Sequence, residues 1–195
     1  MLRTIQTDRE NQILRAKSAK VRRFKQDLQE LVRDMRETLT AAQGLGLAAP
    51  QIGVNQRVII INLQPATDYA ATTLKAQNFA SLRTKFWQQS SGSLVLINPK
   101  IVSFSTEQQI GLEGCLSLPD EFGQVARAQR LKVNFCDAKG QPRSGQFSDL
   151  NARIIQHEVD HLNGVLFVDR LVAQPRQQAS ATRNNILNKI DNQPS

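Results

Sequence analysis

The stretch QHEVDH, residues 156–161, contains both histidines of this 195-residue chain, His157 and His161, together with Glu158. In an α-helix, residues four apart lie one above the other on the same face, so both imidazoles can point at one spot. Glu158 lies about 100° around the helix from His157, which lets its carboxylate reach the edge of that spot. This spacing predicts a divalent metal that is bound by two imidazole rings, with a carboxylate that holds the water molecule that the metal activates.

The helix that carries this motif has apolar residues on several of its sides, at Ile154, Ile155, Val159 and Leu162. The alternative to a metal site is a surface helix in which two histidines occur by chance. A helix that is apolar on several sides is usually buried, however. Buried histidines need a partner, and a metal ion satisfies both at once.

A third ligand is needed, because a catalytic zinc or iron usually has three protein ligands and one open position. No histidine or glutamate follows His161 in the sequence, so we look upstream. Cys115, in EGCLSLP (113–119), follows a glycine among polar and turn-forming residues, away from any apolar strand pattern, and a thiolate binds zinc or ferrous iron well. Cys136 lies inside an expected strand and is better explained as a core residue.

The rest of the chain predicts an α+β fold. We expect small antiparallel or mixed sheets packed around a central helix that bears the HExxH motif, with N-terminal and C-terminal helices. The polar stretch 64–93 is irregular, with a possible short helix at 74–87. The other expected elements are a helix at 25–42, a buried strand at 57–63, one or two strands at 94–104 broken at Asn98-Pro99, and a hairpin at 130–148.

Composition and charge restrict the class of protein. An apolar share of 40% and a charged share of 22% are typical of a globular protein, and no apolar run approaches the ~18 residues of a membrane span. The first residues, MLRTIQTDREN, have no apolar core of a secretory signal, so we expect a cytoplasmic protein with no membrane partner. The net charge of +8 fits either a basic but ordinary surface or contact with a polyanion such as RNA.

Three segments together, GLGLAAPQ (44–51), EGCLS (113–117) and QHEVDH (156–161), resemble in order and in letters the signature motifs of peptide deformylases. The resemblance covers most of residues 1–172. It implies a single catalytic domain over 1–172, followed by a basic tail or helix at 173–195.

The resemblance implies an enzyme that hydrolyses the formyl group from the N-terminal formylmethionine of nascent polypeptides and releases formate. Cys115, His157 and His161 match the ligands of one divalent metal ion. The implied ion is Fe²⁺, and Zn²⁺, Ni²⁺ or Co²⁺ can also occupy such a site.

The same resemblance assigns the remaining catalytic groups. Metal-bound water is the implied nucleophile, and Glu158 matches the carboxylate that acts as general acid and base. The side chain of Gln51 and the backbone N–H of Leu116 match the donors to the oxyanion that forms from the formyl group.

Three further residues match substrate-binding positions. Gly46 matches a motif glycine whose backbone lies beside the substrate. Ile154 could line the pocket for an unbranched apolar side chain, although core packing explains its position equally well. Arg127 lies where the family often has an arginine near the substrate backbone, against the ordinary expectation of a solvated arginine.

A C-terminal helix in the family can dock on ribosomal RNA near the tunnel exit, so the resemblance implies this partner for the tail. Residues 170–195 carry four basic residues against one acid, which agrees with that partner in the sign of the charge.

Two other functions compete with deformylation. A metal peptidase or amidase with the same HExxH motif is one rival, and the missing downstream ligand argues against it. A non-catalytic ribosome-associated protein is the other, and the intact set of Glu158, Gln51 and ligands argues against it.

Overall fold

The computed structural model describes residues 1–65, 86–89 and 91–172. Most of segment 64–93, with most of the expected helix at 74–87, and the whole tail 173–195 lie outside the described residues. Short 3₁₀ helices cover Ala49–Ile52 and Phe167–Arg170. The helices and strands are α1 (Gln12–Arg15), α2 (Gln26–Ala41), β1 (Gly46–Ala48), β2 (Val58–Asn62), β3 (Ser93–Phe104), β4 (Gln108–Cys115), β5 (Leu118–Ala128), β6 (Arg130–Cys136), β7 (Pro142–Ser148) and α3 (Asp149–His161).

The strands form two antiparallel sheets. One has five strands in the order β1-β2-β3-β6-β7, and the other is the two-stranded hairpin β4-β5. The hairpin expected at 130–148 is β6-β7, and the helix expected at 25–42 is α2. The expected α+β class with small antiparallel sheets is therefore confirmed.

Helix α3 lies between the two sheets and contacts strands of both. Full burial of one aliphatic side chain stabilises a fold by about 1.5–3 kcal/mol, and α3 buries all of its apolar side chains: Leu150, Ala152, Ile154, Ile155 and Val159. Ser148, at its N-cap, makes no capping hydrogen bond through its side chain. Packing therefore holds this helix, as its many-sided apolar pattern predicts.

Strand β3 is continuous where the sequence suggested a break at Asn98-Pro99. Asn98 adopts a left-handed φ of 53°, and its side-chain amide both accepts from the N–H of Val21 and donates to the Val21 carbonyl, each at 2.9 Å. The register against β6 shifts at this point. The Asn-Pro pair therefore forms an irregularity within one strand, and the Asn98 side chain ties this point to the backbone of Val21.

The hairpin β4-β5 is an element that the sequence pattern does not predict, because acids and glycines interrupt its apolar alternation. Cys115 ends β4, where we expected a residue outside any strand. Glu113 contacts His157 and Cys115 contacts His161, so both side chains point toward α3. The hairpin thus brings a thiol and a carboxylate from mid-chain against the helix that carries the histidines.

Candidate metal centre

The two histidines of α3 lie on one face of the helix, as their spacing predicts. Their ring centroids are 5.0 Å apart. His161 is almost fully buried, and the side chain of His157 is 11% exposed. The rings therefore converge at the edge of the core, where a bound ion would be reached from one side.

Cys115 completes a three-residue group. Its Sγ lies 3.2 Å from Nε2 of His161, and the ligand atoms of Cys115, His157 and His161 all lie within 4.8 Å of one another. Burial alone would raise the pKa of the Cys115 thiol, but the neighbouring rings of His161 and His157 hold this pKa well below its usual value. A thiolate with two imidazoles is a donor set suited to a divalent transition metal.

A buried carboxylate, Glu113, orients the first histidine. Its Oε2 lies 2.9 Å from Nδ1 of His157, so Nε2 of that ring is left to face the metal site. Arg127 donates to Glu113 through Nε and Nη2, both at 2.9 Å, and Arg153 donates to it at 2.7 Å. Burial alone would raise the pKa of Glu113, yet the hydrogen bonds from His157 and Arg127 hold it far below its usual value. Carboxylates that fix a ligating histidine in this way commonly tune metal sites.

Arg127 does not lie where the resemblance suggested. It is 5% exposed, it is absent from the wall of the cleft described below, and its third nitrogen donates to Asp160 at 2.5 Å. All of its nitrogens thus bind Glu113 or Asp160. We expected Arg127 to contact the substrate backbone. It instead lies behind the metal site, because two buried carboxylates bind its whole guanidinium group.

Glu158 is buried beside the ligands, with 3% of its surface exposed. Its Oε2 has no hydrogen-bond partner among the described residues. Burial raises the pKa of Glu158 to about 7, although the charges of His157 and His161 act to lower it. A carboxyl group with a pKa near neutrality can both take and return a proton at neutral pH.

Gln51 presents its amide nitrogen to the same site. Its Oε1 accepts from the backbone N–H of Ala48 at 2.8 Å, which fixes the orientation of the amide. Its Nε2 then lies 3.4 Å from Sγ of Cys115 and 3.3 Å from Oγ of Ser117. Leu116 follows the thiol at the turn between β4 and β5 and lines the same cleft.

A cleft of about 300 Å³ opens onto this centre. Glu158, Gln51, Cys115 and His157 line it together with the apolar side chains of Leu45, Leu112, Leu116, Phe122, Leu150 and Ile154. Ile154 is 6% exposed, so it serves both the core and the cleft wall. A mostly apolar cleft with a few converging polar groups is the usual form of a small-ligand site.

The backbone of Gly46 lies close to Glu158 and Ile154. A Cβ built at this position would overlap Oε1 of Glu158 and lie 2.8 Å from Cγ2 of Ile154. Only glycine therefore lets the backbone of β1 approach the cleft this closely.

Among the described residues, no helix is both long enough and apolar enough to cross a membrane.

Comparison with known proteins agrees with this geometry. The sequence model of the polypeptide deformylase family matches residues 2–177. The chain is 42% identical over 163 residues to a peptide deformylase of Roseiflexus castenholzii (83% of each chain) and 41% identical over 170 residues to that of Thermomicrobium roseum (87% and 86%). A Met-Ala-Ser-bound class I type b peptide deformylase from Acinetobacter baumannii superposes with a TM-score of 0.74 at 34% identity, covering 88% of this chain and 99% of that one. The chain belongs to the peptide deformylase family, whose members are enzymes that remove the N-formyl group from nascent polypeptides.

Proposed function

We propose that this chain hydrolyses the formyl group of N-terminal formylmethionine in nascent polypeptides, with release of formate, at a metal centre formed by Cys115, His157 and His161. The observation that supports this most directly is the convergence of these three ligand atoms, within 4.8 Å of one another, beside the buried carboxylate of Glu158. The cleft provides access to that point from outside.

Ferrous iron is the ion that we propose from the family resemblance. Zinc, nickel or cobalt also suit one thiolate and two imidazoles. A divalent metal held here would polarise the formyl oxygen and make water acidic enough, with a pKa near ~7, to act as a nucleophile. Glu113 would keep the His157 ring in the orientation that this binding requires.

Glu158 moves the proton in the proposed reaction. Its Oε2 accepts a proton from the attacking water and returns it to the nitrogen of the departing methionine amine. Both transfers need a carboxyl oxygen that is not already hydrogen-bonded, and Oε2 has no such partner among the described residues. The pKa of about 7 places this group near balance between its two protonation states at neutral pH.

Gln51 and Leu116 stabilise the oxyanion that forms as water adds to the formyl carbon. Nε2 of Gln51 is aimed at the centre because Oε1 is occupied by the Ala48 N–H. The N–H of Leu116, at the turn after the ligand Cys115, supplies the second donor. Each such donor typically contributes about 10²- to 10³-fold in rate.

The methionine side chain fits the apolar part of the cleft. Ile154 and Leu150 of α3 provide one wall, and Leu45 precedes the close backbone approach at Gly46. An unbranched apolar side chain gains from leaving water there by about 25 cal/mol per Å² of buried apolar surface. This gain explains a preference for methionine over a polar first residue.

The proposed reaction is tested by formate release from formyl-Met-Ala-Ser with enzyme purified without oxygen. We expect turnover, one divalent metal per chain, loss of turnover with a chelator and recovery on adding Fe²⁺. The metal content distinguishes iron from zinc, nickel and cobalt. Cleavage of internal peptide bonds without formate release would instead support the rival metal peptidase.

Replacing Gly46 with alanine is expected to lower kcat/KM by about 10²-fold. The new methyl group would displace the Glu158 carboxylate and the Ile154 side chain, and a displacement of about 1 Å in a catalytic group costs on this order. Steady-state kinetics on the same tripeptide measure the effect, with metal content as the control. A G46A variant with unchanged kinetics would contradict the close approach.

Contact with the ribosome is proposed for the C-terminal tail, which lies outside the described residues. Its residues 173–195 contribute Arg176, Arg183 and Lys189 against Asp191, whereas Arg170, just before it, pairs with Asp160. We expect truncation after Val172 to reduce cosedimentation with ribosomes severalfold, most clearly at low salt, since phosphate contacts weaken as salt rises. Equal cosedimentation of the full and truncated chains would remove this proposal.

We also propose a cytoplasmic location, because the enzyme must meet nascent chains as they are made.

A further inference from the structure

A second cavity, of about 480 Å³, lies on the side of α3 that faces away from the cleft. It is lined by Gln156 and Asp160, each of which is two residues from Glu158 in the wall of the cleft. Two residues along a helix turn by about 200°, so the helix separates the two spaces. We call the second space the back cavity. Its charged and aromatic lining residues are Arg57, Lys100, Phe104, Arg127, Asp160 and Arg170.

The back cavity has an excess of positive charge. Four of its lining residues are basic, and within the described part of the chain only Asp160 is acidic. Arg127 does not contribute to the excess, because buried carboxylates already bind it. Arg170 donates to both carboxylate oxygens of Asp160, at 2.5 and 2.7 Å, which fixes its guanidinium in the cavity wall. The excess therefore comes from the two remaining cations.

These cations, Arg57 and Lys100, have no carboxylate partner among the described residues. Arg57 is half-buried, and its Nη1 donates to the carbonyl of Leu162 and to Oδ1 of Asn163, both at 3.0 Å. Burial lowers the pKa of Arg57. Lys100 is exposed on β3, and the N–H of Asn98, two residues before it, donates to the Arg57 carbonyl at 2.8 Å. Since charges taken out of water are usually paired, the two neighbouring cations indicate a site for an anion.

An aromatic side chain lies in the same wall. Phe104, at the end of β3, is 57% exposed although it is large and apolar. A cavity of this volume falls within the range of about 300–1,000 Å³ that is usual for small-ligand sites. Exposed aromatic rings beside Arg and Lys side chains are typical of nucleotide binding, in which a base stacks on the ring and a phosphate pairs with the cations.

We propose that the back cavity binds a nucleotide, with its phosphate against Arg57 and Lys100 and its base against Phe104. Free nucleotides and single-stranded RNA present the same chemistry to these residues. They differ in the number of phosphates that can reach further basic residues such as Arg170. The proposal does not depend on the proposed function, because nucleotide binding can be measured without turnover.

Calorimetric titration of the metal-loaded whole chain tests the proposal with four probes: AMP, ribose 5-phosphate, adenosine and single-stranded hexaadenylate RNA. We expect AMP to bind about tenfold more tightly than ribose 5-phosphate or adenosine, because only AMP offers both a base and a phosphate. Hexaadenylate that binds more tightly than AMP would identify RNA as the source of the nucleotide, and hexaadenylate that binds no more tightly would identify a free nucleotide. Absence of binding by both, or equal binding of AMP and ribose 5-phosphate, would overturn the inference.

Variants assign the binding to the back cavity. Arg57→Gln and Lys100→Gln should each weaken AMP and ribose 5-phosphate alike by about tenfold, through the loss of a charge-assisted hydrogen bond. Phe104→Ala should weaken AMP by about fivefold and leave ribose 5-phosphate unchanged. Lys139→Gln is the matched control, because Lys139 is exposed at the β6-β7 turn and lies outside the cavity. AMP binding that none of the first three variants weakens, or that the control weakens equally, would overturn the inference.

Formate release distinguishes the back cavity from the cleft. Saturating AMP should leave the KM for formyl-Met-Ala-Ser unchanged, because the helix lies between the two spaces. Competitive inhibition by AMP would place the nucleotide at the metal centre and would overturn the inference. Lys100→Gln and Phe104→Ala change exposed side chains outside the cleft and should keep the wild-type kcat, so their weaker binding of AMP cannot come from misfolding.

Discussion

Replacing Glu158 with glutamine is expected to lower kcat by about 10²- to 10⁴-fold while the protein keeps its metal, because the amide cannot accept the proton of the attacking water. The three ligand side chains remain, since Glu158 is not among them. The fold should also remain, because glutamine has nearly the same shape and the Oε2 it replaces has no hydrogen-bond partner in the described part of the chain. Formate release from formyl-Met-Ala-Ser and metal content, measured on the same preparation, check this expectation.

The control for this variant is a carboxylate remote from the cleft. Glu107 pairs with Arg130 on the surface, with 56% of its side chain exposed. Glu107→Gln should leave both kcat and metal content unchanged. If Glu158→Gln were as active as wild type, Glu158 would not transfer the proton; if it lost its metal, the carboxylate would be part of the binding site.

The histidine half of the site could be predicted from local sequence. His157 and His161 need only the helical period to meet, and the apolar residues around them indicate that the helix is buried. Both conclusions concern residues close together in the chain, where backbone geometry alone decides. The position of Cys115 could not be predicted from local backbone geometry, because Cys115 is 46 residues from His161 and its position depends on the fold. The absence of a downstream ligand, together with the three motifs, pointed to it.

The charged network behind the ligands was not predictable in the same way. Glu113, Arg127 and Arg153 belong to charged residue types that are usually exposed, so no feature of the sequence predicts their burial. Their burial follows from pairing across separations of 14 to 44 residues, which no local pattern encodes. One signal was available: Glu113 precedes Cys115 by two residues and therefore shares its face if the segment is a strand. The missed hairpin β4-β5 and the missed carboxylate thus have one cause.

Removing the carboxylate of Glu113 is expected to give the largest loss of stability among the changes considered. Glu113→Ala would leave Arg127 and Arg153 buried without a shared anion, and breaking a buried ion pair in this way costs about 3–5 kcal/mol of the free energy of unfolding. It would also release Nδ1 of His157, and loss of such a partner lowers metal affinity by about 10- to 100-fold. Denaturant unfolding with a chelator present measures the first effect without a contribution from bound metal.

The surface pair Glu107–Arg130 again provides the comparison. Glu107→Ala removes a carboxylate from an exposed salt bridge, for which about 0–1 kcal/mol is the ordinary contribution. Glu113→Gln is the graded variant, since its amide oxygen can still accept from His157 while the charge that faces two arginines is lost. We expect its metal affinity to lie between wild type and Glu113→Ala. If Glu113→Ala were no less stable than Glu107→Ala, the buried carboxylate would not be what holds the hairpin against the histidine helix, and apolar packing alone would have to position Cys115.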